Sequence, residues 1–283
     1  MSTPIEFVKM HGLGNDFIIV DCVRHPYDVE MLVNAAVPLC DRHFGIGGDG
    51  LILVMPSTEC DFRMRIINND GSEAEMCGNG VRCFAKYLYE HGLTEQTTFT
   101  IDTLAGVITP VLILDDDHVK AVRVDMGEPR LERAVIPMAG PDGQVVNEAL
   151  QVDGETFTLT AVSMGNPHAV IFVDDVANFP VEKYGALIEK HRAFPRKTNV
   201  EFVQVVSPTY LKMRVWERGA GITLACGTGA CATLVAAVLT GNAERSATVE
   251  LPGGPLVITW SDANNHVYMT GAAEEAFTGT VLL

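Results

Sequence analysis

Positive charge is scarce in this chain. Its 283 residues contain 20 Lys and Arg against 36 Asp and Glu, a formal net charge of −16, and no Lys/Arg run occurs. Proteins that bind nucleic acid concentrate basic side chains against the phosphates. The composition therefore argues against a nucleic-acid partner, and the net negative charge favours solubility.

Long apolar runs are absent as well. No stretch approaches the roughly 20 apolar residues that a membrane-spanning helix needs, so we expect no membrane partner. Residues 1–11 lack the apolar core of a signal peptide. We therefore expect a cytoplasmic protein.

The seven cysteines include no Cys-x-x-Cys pair. Their spacing matches neither a zinc module nor a thioredoxin-type redox site, so we expect no bound metal. An odd number of cysteines fits thiols in a reducing compartment.

A glycine-rich loop at residues 45–50 matches the G-x-G-x-x-G dinucleotide pattern. That pattern marks a nucleotide site only where it follows a strand and opens a helix. Here it precedes a strand-like run at residues 51–55, so we expect no nucleotide cofactor.

What the chain does contain is an internal repeat. Residues 77–80 (Cys-Gly-Asn-Gly) recur as residues 226–229 (Cys-Gly-Thr-Gly), 149 positions later. The same offset aligns residues 64–66 (Met-Arg-Ile) with residues 213–215 (Met-Arg-Val). Both halves then run into a predicted hairpin. A period this long indicates two duplicated domains.

Each repeated cysteine precedes a predicted helix. Behind Cys77, apolar residues recur at helical spacing, Asn79 is the predicted N-cap, and Gly92 marks the end. Behind Cys226, residues 230–239 are apolar nearly all round, which predicts a buried helix that stops at Gly241. A helix N-terminus offers unpaired N–H groups and the positive end of a dipole. We therefore expect a lowered thiol pKa and a carboxylate-binding site at each cysteine.

Two matched thiols suggest one site with a base on either side of the ligand. One thiolate would remove the α-proton of an amino acid while the opposite thiol delivers a proton to the other face. The two thiols must then hold opposite protonation states. The helix N-termini would stabilise the charge that develops on the carboxylate. No pyridoxal-phosphate lysine is needed, so no cofactor is expected.

Polar side chains accompany the thiols in the loops that should border such a site. Arg218 suits a bidentate pair with a carboxylate, whereas His168 and Glu217 fit proton relay and surface roles equally well. The candidates are Asn15, Asn68, Asn166, His168, Asn199, Glu217 and Arg218.

Several motifs together closely resemble the diaminopimelate epimerase family. They lie at residues 11–17, 70–73 with 77–80, 164–168, and 217–221 with 225–229, and the likeness runs from about Lys9 to Gly271. The resemblance implies a pyridoxal-independent isomerase that interconverts LL- and meso-diaminopimelate. It further implies a role in lysine and peptidoglycan precursor synthesis, and commonly a homodimer.

The resemblance also implies an α/β (α+β) fold. Each of two similar domains would be a curved, mostly antiparallel sheet around a central helix, with the active-site cleft between them. The C-terminal strand would return to the first domain. The expected N-terminal half is residues 1–125 with 272–283, and the C-terminal half is residues 126–271.

Residue roles follow from the same resemblance. Cys77 is the expected base for the LL substrate and Cys226 for the meso substrate, while His168 and Glu217 assist. Contacts to the unreacting end are expected from Asn15, Asn68, Asn166, Asn199 and Arg218, with Glu217 near the substrate. The carboxylate cradles are expected at Gly78-Asn79 and Gly227-Thr228. Gly50 departs from the many relatives that carry a glutamine there.

Other functions share parts of this pattern. A proline racemase-like enzyme, or another amino-acid racemase, would need the thiol pair without the remote arginine and amides. A thiol-switch protein would use the two cysteines as a disulfide. A non-catalytic binding module would not need the thiols for turnover.

Overall fold

The computed structural model describes residues 3–283. The chain forms two compact units: one runs up to Val124 and also includes Gly271–Leu283, and the other is Asp125–Thr270. Both units consist mainly of sheet with few helices, and most strand pairs are antiparallel. The predicted α+β class is therefore confirmed.

The elements of the first unit begin at the N-terminal part of the chain. In order they are β1 (Pro4–Gly12), β2 (Asn15–Asp21), α1 (Val29–Cys40), β3 (Gly50–Met55), β4 (Phe62–Asn68), β5 (Glu73–Ala74), α2 (Gly78–Glu90), β6 (Ile101–Thr103), β7 (Gly106–Ile108), β8 (Val111–Asp115) and β9 (His118–Asp125).

The second unit follows, and the last strand returns to the first. These elements are β10 (Glu148–Val152), β11 (Glu155–Ser163), β12 (Pro167–Phe172), α3 (Val181–Glu189), β13 (Asn199–Ser207), β14 (Tyr210–Glu217), β15 (Gly221–Ile222), α4 (Gly227–Leu239), β16 (Ser246–Leu251), β17 (Gly254–Trp260), β18 (Val267–Gly271) and β19 (Glu274–Leu282). Strand β19 pairs antiparallel with β1.

The two units share one pattern of strand pairing. In the first, β1–β2 is antiparallel, β2–β3 parallel, β3–β4 antiparallel and β4–β6 parallel. In the second, β11–β12, β12–β13, β13–β14 and β14–β16 repeat that series. The helix α2 lies between β4 and β6 in the chain, and α4 lies between β14 and β16. This is the arrangement expected of a duplicated domain.

Helices α2 and α4 lie against the sheet of their own unit. The helix α2 contacts β1, β2 and β3, and α4 contacts β11 to β14 together with β16 and β17. The apolar face predicted for α2, which includes Val81 and Phe84, has no exposed surface. Burial of one such side chain contributes about 1.5–3 kcal/mol. These two helices therefore pack into the cores of their units, and each of the repeated cysteines lies at the N-terminus of one of them.

The predicted helix ends are confirmed at their C-termini. Gly92 and Gly241 adopt φ values of +68° and +74° just past α2 and α4, where a side chain would be strained. The predicted N-cap at Asn79 is wrong, because Cys77, two residues earlier, is the N-cap and α2 begins at Gly78. Cys226 is the N-cap of α4. Neither cap makes a side-chain capping hydrogen bond.

The two predicted hairpins are present as β8–β9 and β17–β18, and the glycine-rich loop leads into β3. None of the helices between residues 3 and 283 combines the length and apolar character that a membrane crossing requires. Within the same described part of the chain, no three His, Cys, Asp or Glu side chains are grouped to hold a metal ion.

Candidate active site

The first cysteine lies in a cluster of amides. Cys77 Sγ is 3.6 Å from Asn15 Oδ1, which projects from the start of β2. The same oxygen accepts a hydrogen bond of 3.1 Å from Asn79 Nδ2. Asn79 therefore uses its side chain on Asn15 and does not cap the helix, which is why the predicted N-cap is wrong. The structure brings three of the predicted site residues together here.

Asn15 is held from its other end by charged neighbours. Its Nδ2 donates to Asp49 Oδ2 at 2.7 Å, so its Oδ1 faces the cysteine. Asp49 also accepts from Arg42, which pairs with Asp16 as well. Burial opposes ionisation of Asp16, but Arg42 and Lys9 outweigh it and lower the pKa of this carboxyl to about 2. The network keeps the amide oriented, and none of its charged members was predicted as a site residue.

A buried arginine holds the side-chain oxygen of Asn79. Arg82 Nη1 donates to Asn79 Oδ1 at 2.9 Å, and Arg82 Nε donates to the carbonyl of Ala272 at 3.0 Å. Arg82 has no exposed surface. Both ends of the Asn79 amide are therefore hydrogen-bonded, next to Gly78 in the first turn of α2.

Asn68 and Gly50 face each other across β3 and β4. Asn68 Nδ2 donates to Ser72 Oγ at 2.9 Å, so its side chain is engaged in its own turn and not with Asn15. A Cβ at Gly50 would lie 2.9 Å from the carbonyl oxygen of Ile67. The backbone would have to shift to admit any side chain at this position.

The second cysteine lies in a different environment. Cys226 is buried, and its Sγ is 3.7 Å from Thr228 Oγ1. Thr228 Oγ1 in turn accepts a hydrogen bond of 3.2 Å from Asn166 Nδ2. Thr228 follows Gly227 in the first turn of α4, so this turn places a hydroxyl next to the thiol.

The expected low pKa is wrong for Cys226. Burial raises the pKa of this thiol well above its usual value, and the carboxylates of Glu217 and Glu201 raise it further. The Thr228 hydroxyl and the backbone N–H of Gly229 lower the pKa and offset only part of that increase. Loss of solvation therefore outweighs the helix N-terminus in its effect on the pKa of this thiol.

Glu217 is half-buried at the end of β14. Its Oε1 accepts a hydrogen bond from Thr223 Oγ1. Burial raises its pKa above the ordinary 4.5, and the charge of Glu201 raises it too, although Thr223, His168 and Cys226 act in the opposite direction. The carboxyl is thus adapted to carry a proton at a higher pH than an exposed glutamate.

That raised pKa predicts a pH-dependent stability. A raised pKa contributes stability that is fully present below about pH 4.5 and is lost as pH rises through the folded-state value. We expect the free energy of unfolding of Glu217→Gln, minus that of the wild type, to increase as pH rises from 4 to 7. Urea unfolding at both pH values measures this difference. A difference that is constant or moves the other way would contradict it.

His168 is fully buried in β12, so the surface role left open for it is wrong. Its Nδ1 lies 2.7 Å from Glu201 Oε1, and its Nε2 lies 3.0 Å from Asn166 Oδ1. Glu201 was not predicted as a site residue. A signal for it exists in the sequence, because it is the one charged residue within the apolar start of β13.

The side chain of Asn199 is hydrogen-bonded to the backbone of Arg218. Asn199 Nδ2 donates to the carbonyl of Pro167 at 2.9 Å, and Asn199 Oδ1 accepts from the Arg218 N–H at 2.9 Å. The Arg218 side chain is exposed. Glu189 accepts the N–H of Gly219 at 3.1 Å, next to this arginine. Asn199 therefore positions a loop that presents a guanidinium to solvent.

Comparison with known proteins decides the family. The diaminopimelate epimerase family model matches residues 7–132 and 160–275. A diaminopimelate epimerase of Pelotomaculum thermopropionicum is 57% identical over 275 residues, which cover 97% of this chain and 98% of that relative. The chain belongs to the diaminopimelate epimerase family. The resemblance found in the sequence motifs is thereby confirmed.

Solved structures extend the diaminopimelate epimerase fold to distant proteins. A Bacillus anthracis phenazine biosynthesis protein of the PhzF family matches with a TM-score of 0.73 at 16% identity, covering 99% of this chain and 100% of that one. A hydroxyproline epimerase from Agrobacterium vitis matches with a TM-score of 0.70 at 15% identity, covering 99% and 93%. At these identities the likeness establishes the fold alone.

Proposed function

We propose that this protein interconverts LL- and meso-diaminopimelate, with Cys77 and Cys226 as the two acid–base groups. The observation that carries the proposal is that these cysteines are the N-caps of equivalent helices in a duplicated fold. Membership of the diaminopimelate epimerase family supplies the substrate. The reaction needs no cofactor, because both proton transfers are made by the thiols.

Starting from the LL isomer, the Cys77 thiolate removes the α-proton of the substrate. The electron pair of the broken C–H bond spreads onto the adjacent carboxylate. The Cys226 thiol then delivers its proton to the opposite face of the same carbon, which inverts it. Cys77 ends as a thiol and Cys226 as a thiolate, so the meso isomer follows the reverse path. The raised pKa of Cys226 supports its role as the initial proton donor.

The charge that builds on the carboxylate needs stabilisation. Backbone N–H groups at the first turns of α2 and α4 have no partner within their helices, and they supply it at Gly78-Asn79 and Gly227-Thr228. Fixed donors of this kind act without reorganising during the reaction. His168 and Glu217 assist the proton transfers.

Recognition of the unreacting end distinguishes a two-headed substrate from a simple amino acid. Asn15, Asn68, Asn166, Asn199 and Arg218 provide it in this proposal, and Glu217 lies near the substrate. Arg218 is supported by its exposed guanidinium on a loop that Asn199 and Glu189 hold in place. A guanidinium binds a carboxylate through two parallel hydrogen bonds.

Solvent exchange tests the reaction and the substrate together. In D2O the protein is expected to place deuterium at the α-carbon of diaminopimelate during inversion, because the donated proton comes from a thiol that exchanges with solvent. Proline offered under the same conditions should remain unlabelled. Mass spectrometry and NMR of both amino acids measure the label. Labelled proline with unlabelled diaminopimelate would replace this proposal with a proline racemase-like function.

The wider setting is also proposed from the family. We infer that the two epimerase halves are residues 1–125 with 272–283 and residues 126–271. We infer further that the protein works as a cytoplasmic homodimer in lysine and peptidoglycan precursor synthesis. Sedimentation equilibrium should give twice the mass of the chain, and a monomer at micromolar concentration would contradict the homodimer.

A further inference from the structure

Glu201 is a buried carboxylate that the proposed reaction does not use. It lies in β13 between Val200 and Phe202, and it has no exposed surface. Successive side chains of a strand point to opposite faces. Val200 and Phe202 join the apolar core of the unit, so Glu201 projects from the other face of the strand. A Cβ on Gly229 of α4 would come within 2.7 Å of Glu201 Oε1, which places the carboxylate beside the first turn of that helix.

Stability does not explain a carboxylate in this place. Its Oε1 meets His168, but its Oε2 is buried and has no hydrogen-bond partner among residues 3–283. An unsatisfied buried oxygen costs free energy, and the cost is larger for a charged group. Glu201 also raises the pKa of both Cys226 and Glu217. A group that is costly to bury and lies next to a thiol is a candidate for a functional role.

A continuous series of hydrogen bonds joins Glu201 to the Cys226 sulfur. Glu201 Oε1 is 2.7 Å from His168 Nδ1, and His168 Nε2 is 3.0 Å from Asn166 Oδ1. Asn166 Nδ2 is 3.2 Å from Thr228 Oγ1, which is 3.7 Å from Cys226 Sγ. All five residues belong to the same unit.

The donors in this series can be assigned in one direction. Asn166 gives its NH₂ to Thr228, so its carbonyl oxygen faces His168. A carbonyl oxygen only accepts, and therefore His168 Nε2 must carry a hydrogen. Nδ1 faces a carboxylate and carries a hydrogen as well when Glu201 is ionised. Thr228 then has its own hydroxyl hydrogen free to donate to the sulfur.

We infer that Glu201 is a positioning residue for the Cys226 half of the proposed reaction. It holds His168 with both ring nitrogens protonated, and His168 fixes the Asn166 amide and the Thr228 hydroxyl toward the sulfur. The inference rests on the proposed function for its effect on turnover. Its structural part, the protonation of His168, stands independently of the substrate.

Ring-nitrogen NMR on ¹⁵N-histidine-labelled wild-type protein tests the structural part. His168 is expected to show a hydrogen on both ring nitrogens at neutral pH, with its signals assigned by their loss in His168→Gln. In Glu201→Gln the ring should lose one of these hydrogens. One bare ring nitrogen in the wild type would overturn the inference, even if Glu201→Gln failed to fold.

Kinetics test the functional part. We expect Glu201→Gln to lower kcat/KM for diaminopimelate about 10- to 100-fold, by analogy with the loss when a carboxylate that orients a metal-binding histidine is removed. The loss should be equal in both directions, because the overall equilibrium is unchanged. Full kcat/KM in folded Glu201→Gln, together with an altered His168 ring, would overturn the positioning role.

Glu189→Gln is the matched control. Glu189 is also a buried glutamate of this unit, and it accepts from Trp216 Nε1 at 2.9 Å without touching His168. We expect this variant to lower the Tm and leave the His168 ring signals unchanged. A change in those signals would show that general disturbance of the unit is enough, which would overturn the inference. If wild-type protein fails to label diaminopimelate, the proposed function falls while the ring measurement still decides the buried pair.

Discussion

Replacing Cys77 or Cys226 by alanine is expected to lower the rate of diaminopimelate epimerisation by up to about 10⁴-fold. A positioned acid or base contributes about 10²- to 10⁴-fold, and alanine removes the proton carrier from one face of the carbon. The neighbouring polar groups, such as the Asn15 amide and the Thr228 hydroxyl, cannot take its place because neither releases a proton at neutral pH. Circular dichroism or NMR detection of the meso and LL isomers measures the loss.

The helices themselves provide matched controls for these variants. Cys83 lies on α2 behind Cys77 and is fully buried, and burial raises its pKa to about 12. Cys83→Ala should therefore keep turnover and lose about 1 kcal/mol of stability, at the low end of the cost of a small cavity. Cys77→Ala and Cys226→Ala should keep most of the stability of the wild type, since both cysteines are N-caps without a capping hydrogen bond. Retained turnover in either of the two N-cap variants would exclude the two-thiol mechanism.

Much of the fold was predictable because the repeat and the helix ends are local signals. A cysteine, a glycine and an apolar face recur at one offset in both halves, and the positive φ at Gly92 and Gly241 needs no information beyond the adjacent helix. The parallel pairing of β2 with β3 and of β12 with β13 is different. Parallel pairing depends on contacts between segments that are distant in the sequence, and hydrophobic periodicity along the chain does not predict such contacts.

The motif residues of the site were predictable from the sequence, whereas the residues that hold them in position were not. Cys77, Asn15 and Asn79 lie together as the motifs indicated. The groups that hold them act across long stretches of chain, such as Arg82 on the carbonyl of Ala272, 190 positions away. The pKa of Cys226 was predicted with the wrong sign for the same reason. A helix N-terminus is visible in a sequence, whereas burial and two approaching carboxylates appear only in three dimensions.

A conservative change at the unreacting end should also have a large effect. We expect Arg218→Lys to lower kcat/KM for diaminopimelate about 10²- to 10³-fold, chiefly through KM. A lysine keeps the charge but cannot form the two parallel hydrogen bonds of a guanidinium to a carboxylate. Hydrogen bonds to charged groups contribute about 1.5–3 kcal/mol each, so two of them account for a loss of that order.

The backbone at Arg218 should survive this change, because its N–H bonds Asn199 and its side chain is exposed. Lys212→Arg, at an exposed lysine earlier on β14, is the matched control and should leave kcat/KM unchanged. Steady-state kinetics in both directions measure KM and kcat separately. A loss confined to kcat would mean that Arg218 acts at the reacting carbon. In that case another residue must bind the remote carboxylate.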